Sequence, residues 1–217
     1  MATDQPTVRR RRDPERRIEE ITVATERVIA ARGIEGLTHR AVAEEAGVPL
    51  GATTYHFATK DDLIAAALQR AVDRFAGYLD DWVARRPALS PEQCAVLLAD
   101  AVLPGVGPQR DQQVMEFELY LAALRRPALR PIADQYTQLS RRALSHYTDP
   151  DTAAAAAAAL NGISLRALAN STPPARTEAE TILRRILTPN PALPTPAGSP
   201  GDNAEEPPAT GAAGHDA

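Results

Sequence analysis

Residues 38–60, THRAVAEEAGVPLGATTYHFATK, leave this chain few choices of local fold. Thr38 offers a hydroxyl N-cap ahead of HRAVAEEA, where Val42, Ala43 and Ala46 fall at helical spacing on one side. Gly47 can take the left-handed conformation that ends a helix, and Val48 is apolar where the turn must return to a core. A second short helix follows over 50–56. Two short helices around a tight turn containing Gly make the helix-turn-helix pattern, whose second helix lies in the DNA major groove. Such helix pairs also occur in proteins that never touch DNA, so the pattern alone sets local fold and not use.

The flanking residues are more specific. AVAEEAGV, then TYHF, then a lysine three residues after Phe57, resemble the DNA-binding domain of the TetR/AcrR family of transcriptional regulators. The resemblance is close over 15–65 and architectural beyond. Ala52 stands where that family commonly has a phosphate-binding Thr, and Thr54 where it usually has Tyr. The ring arrives one residue later, at Tyr55, about 100° further round the helix. The resemblance implies that Leu50, Gly51, Ala52 and Thr53 face base edges, while Thr38, Tyr55, His56 and Lys60 position the DNA backbone. His39, Arg40 and Thr54 complete the expected DNA face. Gly51 and Ala52 are small enough for close approach to the groove, and Leu50 and Thr53 can touch thymine methyls. Lys60, the only lysine, matches a family lysine that holds a phosphate; the alternative is an exposed lysine paired with Asp.

A net charge of −4 argues against nucleic acid only if charge is spread evenly. It is not: residues 1–17 carry six Arg against Asp4, Asp13 and Glu15, and the tail is acidic. Residues 1–12 read as a basic flexible arm ending in Arg9–Arg12, which either reaches DNA or is a solvated leader. Arg outnumbers Lys 23 to 1, which a GC-rich genome explains without function. Cys94 is the only cysteine, so no intrachain disulfide is expected. Neither a signal peptide nor an apolar run of membrane-spanning length is evident, and cytoplasmic residence without a membrane partner is expected.

The rest of the chain alternates helix and break. Asp13-Pro14 opens a helix over 13–32 with Ile18, Ile21, Val28 and Ile29 as its buried stripe; Ile34 and Leu37 lead into the motif. Thr59 caps a long helix over 60–85, with Ile64, Ala67, Leu68, Ala71, Phe75, Tyr78 and Trp82 at helical spacing. Further helices are expected over 90–103, 110–126 (with Val114, Phe117, Leu121 and Leu124 on one face), 129–147, 150–170 and 175–187. The count is nine, and no segment alternates like a strand. The expected fold is all-α: a helix-turn-helix domain over 13–60, a helical effector-binding and dimerisation domain over 61–187 joined through 61–85, and a disordered Pro-rich tail over 188–217. In 188–217, seven Pro and four Gly accompany no Lys or Arg, too little apolar surface to offset ordering entropy.

No nucleophile elbow, P-loop, dinucleotide fingerprint or HExxH is present, and the four histidines lack metal-ligand spacing. Glu116 and Glu118 lie two apart on a helix and face different ways, which is no acid–base pair. Neither cofactor nor metal nor enzymatic activity is expected. The resemblance implies a homodimeric regulator, a repressor released from double-stranded operator DNA by a small-molecule effector. An apolar or aromatic effector is expected among Phe75, Tyr78, Trp82, Met115, Phe117, Tyr120 and Tyr136, which include six of only nine aromatics. A dimer interface is expected from the last two helices through Leu160, Ile163 and Ala167, against the alternative that this run is intramonomer core. A constitutive architectural DNA-binding protein and a helical enzyme are the rival readings.

Overall fold

The computed structural model describes residues 13–102, 108–170 and 174–188. The arginine arm of 1–12, most of the Pro104–Pro108 break and nearly all of the 188–217 tail lie outside the described residues. Within them the order is α1 (Pro14–Arg32), α2 (His39–Ala46), α3 (Leu50–His56), α4 (Lys60–Ala84), α5 (Pro91–Val102), α6 (Pro108–Ala122), a 3-10 turn (Pro127–Leu129), α7 (Arg130–Leu144), α8 (Pro150–Ala169) and α9 (Arg176–Leu187). The described residues contain no strand.

Helix boundaries follow the cap chemistry. Asp13 accepts the amides of Glu15 and Arg16 at 3.1 and 3.4 Å, with Pro14 at the first helical position. Gly47 is left-handed (φ 65°, ψ 35°), and the amide of Val48 reaches back to the Ala43 carbonyl at 3.0 Å, closing α2 as a Schellman motif. Thr59 and Asp62 form a reciprocal capping box at the start of α4, and Ser90 with Gln93 does the same for α5. Asp149 caps α8 through the amides of Asp151 and Thr152.

Two apolar clusters divide the interior. One gathers α1, α2, the first half of α4, the inner face of α6 and the start of α7. The other gathers Trp82, α5, Leu144, α8 and α9. The head is therefore not closed at residue 60: Ile64, Leu68 and Val72 of α4, with Met115 and Leu119 of α6, belong to the core that holds the helix-turn-helix.

Several packing expectations change. Ile18 is 41% exposed, because the first turns of α1 project past their neighbours and nothing before Ile21 is buried. On α6 the inner face is Met115, Leu119 and Ala122, not Val114, Phe117, Leu121 and Leu124. Leu121 is exposed, and Leu124 falls in the turn beyond the end of the helix. Ile163 and Ala167 are buried inside the protomer, so the intramonomer alternative holds for them. By length and composition α8 is apolar enough to cross a membrane, contrary to the expectation for the whole chain. That property comes from its alanines, of which Ala153, Ala156 and Ala157 pack into the second cluster.

Candidate DNA-reading head and effector cavity

The exposed residues at the start of α2 and on α3 are polar or aromatic, with Leu50 and Gly51 the exceptions. Thr38 caps α2 through the Ala41 amide at 3.1 Å and is exposed beside Arg40. His39 Nε2 donates to the Phe57 carbonyl at 2.9 Å, tying the start of α2 to the end of α3. On α3, Leu50, Gly51, Thr54 and Tyr55 are exposed, with Tyr55 at 83%, while Ala52 and His56 are half-buried. The Tyr55 and His56 rings meet edge to face at 5.0 Å. Nothing lies within 4 Å of where a Cβ on Gly51 would sit, so the helix is open to an approaching surface there. Lys60, half-buried, opens α4 beside this face.

Thr53 does not belong to that surface. It is fully buried, and its hydroxyl donates to the Leu50 carbonyl at 2.8 Å. Helical geometry puts Thr53 opposite the exposed positions, against α2, so it is a core plug and cannot reach a base.

The other end of α4 borders a cavity of about 380 Å³ lined by α4, α5, α6, α7 and α8, a size suited to a small organic ligand. Phe75, Tyr78, Trp82, Phe117 and Tyr136 all line it. Phe75 stacks on Tyr136 with centroids 4.9 Å apart and on Tyr78 at 6.4 Å. Met115 and Tyr120 do not line it; both turn toward the first apolar cluster, because α6 is covered on one side by the head and on the other by the cavity. Leu160, expected at a dimer interface, lines the cavity instead. Leu98, Val102 and Leu144 complete the apolar wall.

The polar lining was not legible beforehand. Arg74, Gln112, Gln113, Glu116, Ser140, Asn161 and Ser164 all face the cavity. Arg74 Nη2 donates to Glu116 at 3.2 Å, and Gln112 to the same oxygen at 3.0 Å. Burial and the neighbouring Glu116 carboxylate hold the Tyr136 phenol well above its ordinary pKa, so it stays neutral. Behind the aromatic wall, the Arg86 guanidinium lies 4.9 Å above Trp82, and Tyr147 donates to the Arg86 carbonyl at 2.7 Å.

A head with an exposed second helix, joined by one long helix to an aromatic cavity, is matched by known proteins. Residues 21–67 match the family described as bacterial regulatory proteins, tetR family, and residues 89–189 match the tetracyclin repressor-like C-terminal domain. A solved TetR-family member from Streptomyces coelicolor A3 is 46% identical, with a TM-score of 0.66, covering 78% of this chain and 97% of that one. The chain belongs to the TetR family. TetR proteins are DNA-binding transcriptional regulators, and that is the class of this one. The multidrug binding protein EbrR, solved with ethidium, is 48% identical at a TM-score of 0.70, covering 80% of this chain and 99% of that chain. EbrR has also been solved with proflavin and with malachite green. The HTH-type transcriptional regulator PksA of Bacillus subtilis (strain 168) is 34% identical over 110 residues, and the chain spans about half the length of that relative (51% of it).

Proposed function

We propose that this protein is a homodimeric repressor that leaves its operator when an aromatic, positively charged small molecule fills the cavity. The observation that carries the reading is α4. Lys60 starts it beside the exposed face of α3, and Phe75, Tyr78 and Trp82 at its far half line the cavity. A helix of 25 residues spans roughly 37 Å, so a tilt at the cavity end displaces the head. The positive charge is inferred from Glu116, the one carboxylate among the described lining residues, and from the dyes bound by EbrR, all aromatic cations. Aromatic faces attract cations, and a partly desolvated carboxylate does so more strongly.

Dimerisation would bring two heads to half-sites about one DNA turn apart, roughly 34–36 Å or somewhat more. The face available for it on α8 is the exposed run Ala155, Ala158, Gly162, Leu165 and Ala169, in place of Ile163 and Ala167.

The test is reciprocal. A duplex selected by the protein from a random-sequence pool is titrated with protein, with and without an aromatic cation that does not intercalate, such as tetraphenylphosphonium. Trp82, the only tryptophan, reports ligand entry. The cation is expected to weaken duplex binding by the same factor by which the duplex weakens cation binding. A cation that binds equally well with and without duplex would overturn the reading.

A further inference from the structure

A single run of ion pairs connects the cavity wall to the DNA-reading head. Glu116 on α6 faces the cavity and accepts from Arg74 Nη2 at 3.2 Å. The same guanidinium gives Nη1 to Glu26 of α1 at 3.0 Å. Glu26 is only 8% exposed, and it also accepts Arg70 Nη1 at 2.5 Å. Arg70 Nε in turn reaches Glu19 at 2.8 Å. Three carboxylates thus share two guanidiniums, and the one facing the cavity is Glu116.

Arg74 bridges two elements besides its own. Its side chain leaves α4, but its two partners sit on α1 in the head and on α6 beside the cavity. It is not fully satisfied there: its Nε–H is buried without an acceptor among the described residues. A buried carboxylate that loses its cation is costly, whereas one that exchanges cations is not. A ligand cation arriving at Glu116 makes that exchange possible, and it also repels the guanidinium it replaces.

We propose that Arg74 is an internal rival of the effector cation for Glu116, and that its displacement carries cavity occupancy to α1 through Glu26. The inference rests on the effector reading above. With the cation on Glu116, Arg74 keeps only Glu26, which it already shares with Arg70. The polar tie that Arg74 makes between α6 and α1 is then broken, and α1 is held through Glu26 to α4 alone. A neutral aromatic of similar shape fills the cavity but displaces nothing, so charge rather than shape is coupled to DNA release. By linkage, operator-bound protein, which keeps Arg74 on both carboxylates, resists the cation.

The experiment compares tetraphenylphosphonium with neutral triphenylphosphine oxide, by Trp82 emission, with and without the selected duplex. In the unsubstituted protein the duplex is expected to weaken the phosphonium about tenfold and the oxide by less than about threefold. E116Q is expected to lower the phosphonium-to-oxide affinity ratio at least about tenfold. R74M, lacking the rival, should bind the phosphonium more tightly while its coupling to the duplex falls toward one. E26Q should lose coupling likewise. The opposite signs of E116Q and R74M are not what general loosening of the cavity would give. An R74M protein that binds the phosphonium more weakly, or an E26Q protein with undiminished coupling, overturns the rivalry and leaves the effector reading standing. An unsubstituted protein that binds neither compound, or whose duplex affinity ignores both, fails the effector reading and this inference with it.

Discussion

Glu118 Oε2 accepts the backbone N–H of Ile34 at 3.1 Å, joining two positions 84 residues apart. The contact fixes α6 to the turn between α1 and α2, where Gly33 has φ 67°. Together with Glu116–Arg74–Glu26 and the Arg126–Asp61 pair at 2.8 Å, it gives α6 and the turn after it three polar attachments to the head or to the start of α4. E118A removes the carboxylate that accepts the Ile34 amide, and an unsatisfied, partly buried N–H costs about 1–3 kcal/mol. E118Q keeps an acceptor and should cost less than half as much. Urea unfolding of both variants measures the difference, and equal losses would show that the amide finds another acceptor.

Lys60 tests the phosphate reading of the head. K60A should weaken binding to specific and random duplexes alike and reduce the slope of log affinity against log salt by roughly one unit. Y55A probes the most exposed residue of α3 and serves as the contrast. A K60A protein that changes base preference but keeps its salt slope would remove Lys60 from the phosphate contacts.

Two glycines should respond with opposite signs. A Cβ on Gly36 would stand 2.6 Å from Arg32 Cβ and 2.8 Å from the Arg32 carbonyl oxygen, so G36A must shift backbone. It is expected to lose about 1–3 kcal/mol of stability. A Cβ on Gly51 meets nothing, and Ala at an exposed helix position gains roughly 0.5–1 kcal/mol over Gly. G51A should therefore be at least as stable as the parent, yet bind the selected duplex more weakly if α3 lies close in the groove. Thermal melts and duplex titrations separate the two effects, and a G51A protein with full affinity would place the groove contact elsewhere on α3.

What could be read beforehand was local. Asp13, Thr38, Gly47, Thr59 and Asp149 mark helix ends through chemistry contained in a few consecutive residues, and each acts there as that chemistry dictates. What could not be read depends on what covers a helix. α6 is enclosed on two sides, so Met115 and Leu119 point to the head while Phe117 and Glu116 point to the cavity, and no single apolar stripe shows it. Thr53 reads as a surface residue by type and is buried because α3 packs that side on α2. Arg74 and Glu116, spaced 42 residues apart, carry no sequence signal of their meeting.

Cys94 predicts an alkaline weakness. It is fully buried in α5, and burial pushes its thiol up to about 11. The unfolded thiol ionises near 8.5, so above that pH the unfolded chain binds fewer protons than the folded one and stability falls. The fall should be complete once the pH passes the folded value, reaching roughly 3 kcal/mol. C94A lacks this group, so its stability between about pH 8.5 and 11 should decline less than that of the parent. Urea midpoints at stepped pH measure it; parallel declines in the two proteins would assign the loss to other groups such as Tyr136.

The outer face of α8 makes the last prediction. Ala155, Ala158, Gly162, Leu165 and Ala169 are exposed and separated by three, four, three and four residues, the spacing of a helix-pairing seam. Four of the five are Ala or Gly, which lets a second helix come close, and Leu165, 44% exposed, is the one large apolar side chain among them. Ile163 lies on the opposite side at 6% exposure, packed in the second apolar cluster. The two positions therefore separate assembly from folding. I163R buries an unpaired charge and should lose several kcal/mol with most of its helical signal. L165R puts a guanidinium on an open face and should keep its helix content while sedimenting as a monomer. That monomer should also bind a two-half-site duplex far more weakly, since two heads no longer engage together. Sedimentation velocity with circular dichroism on both variants decides: an L165R protein that remains dimeric would move the interface off this face of α8.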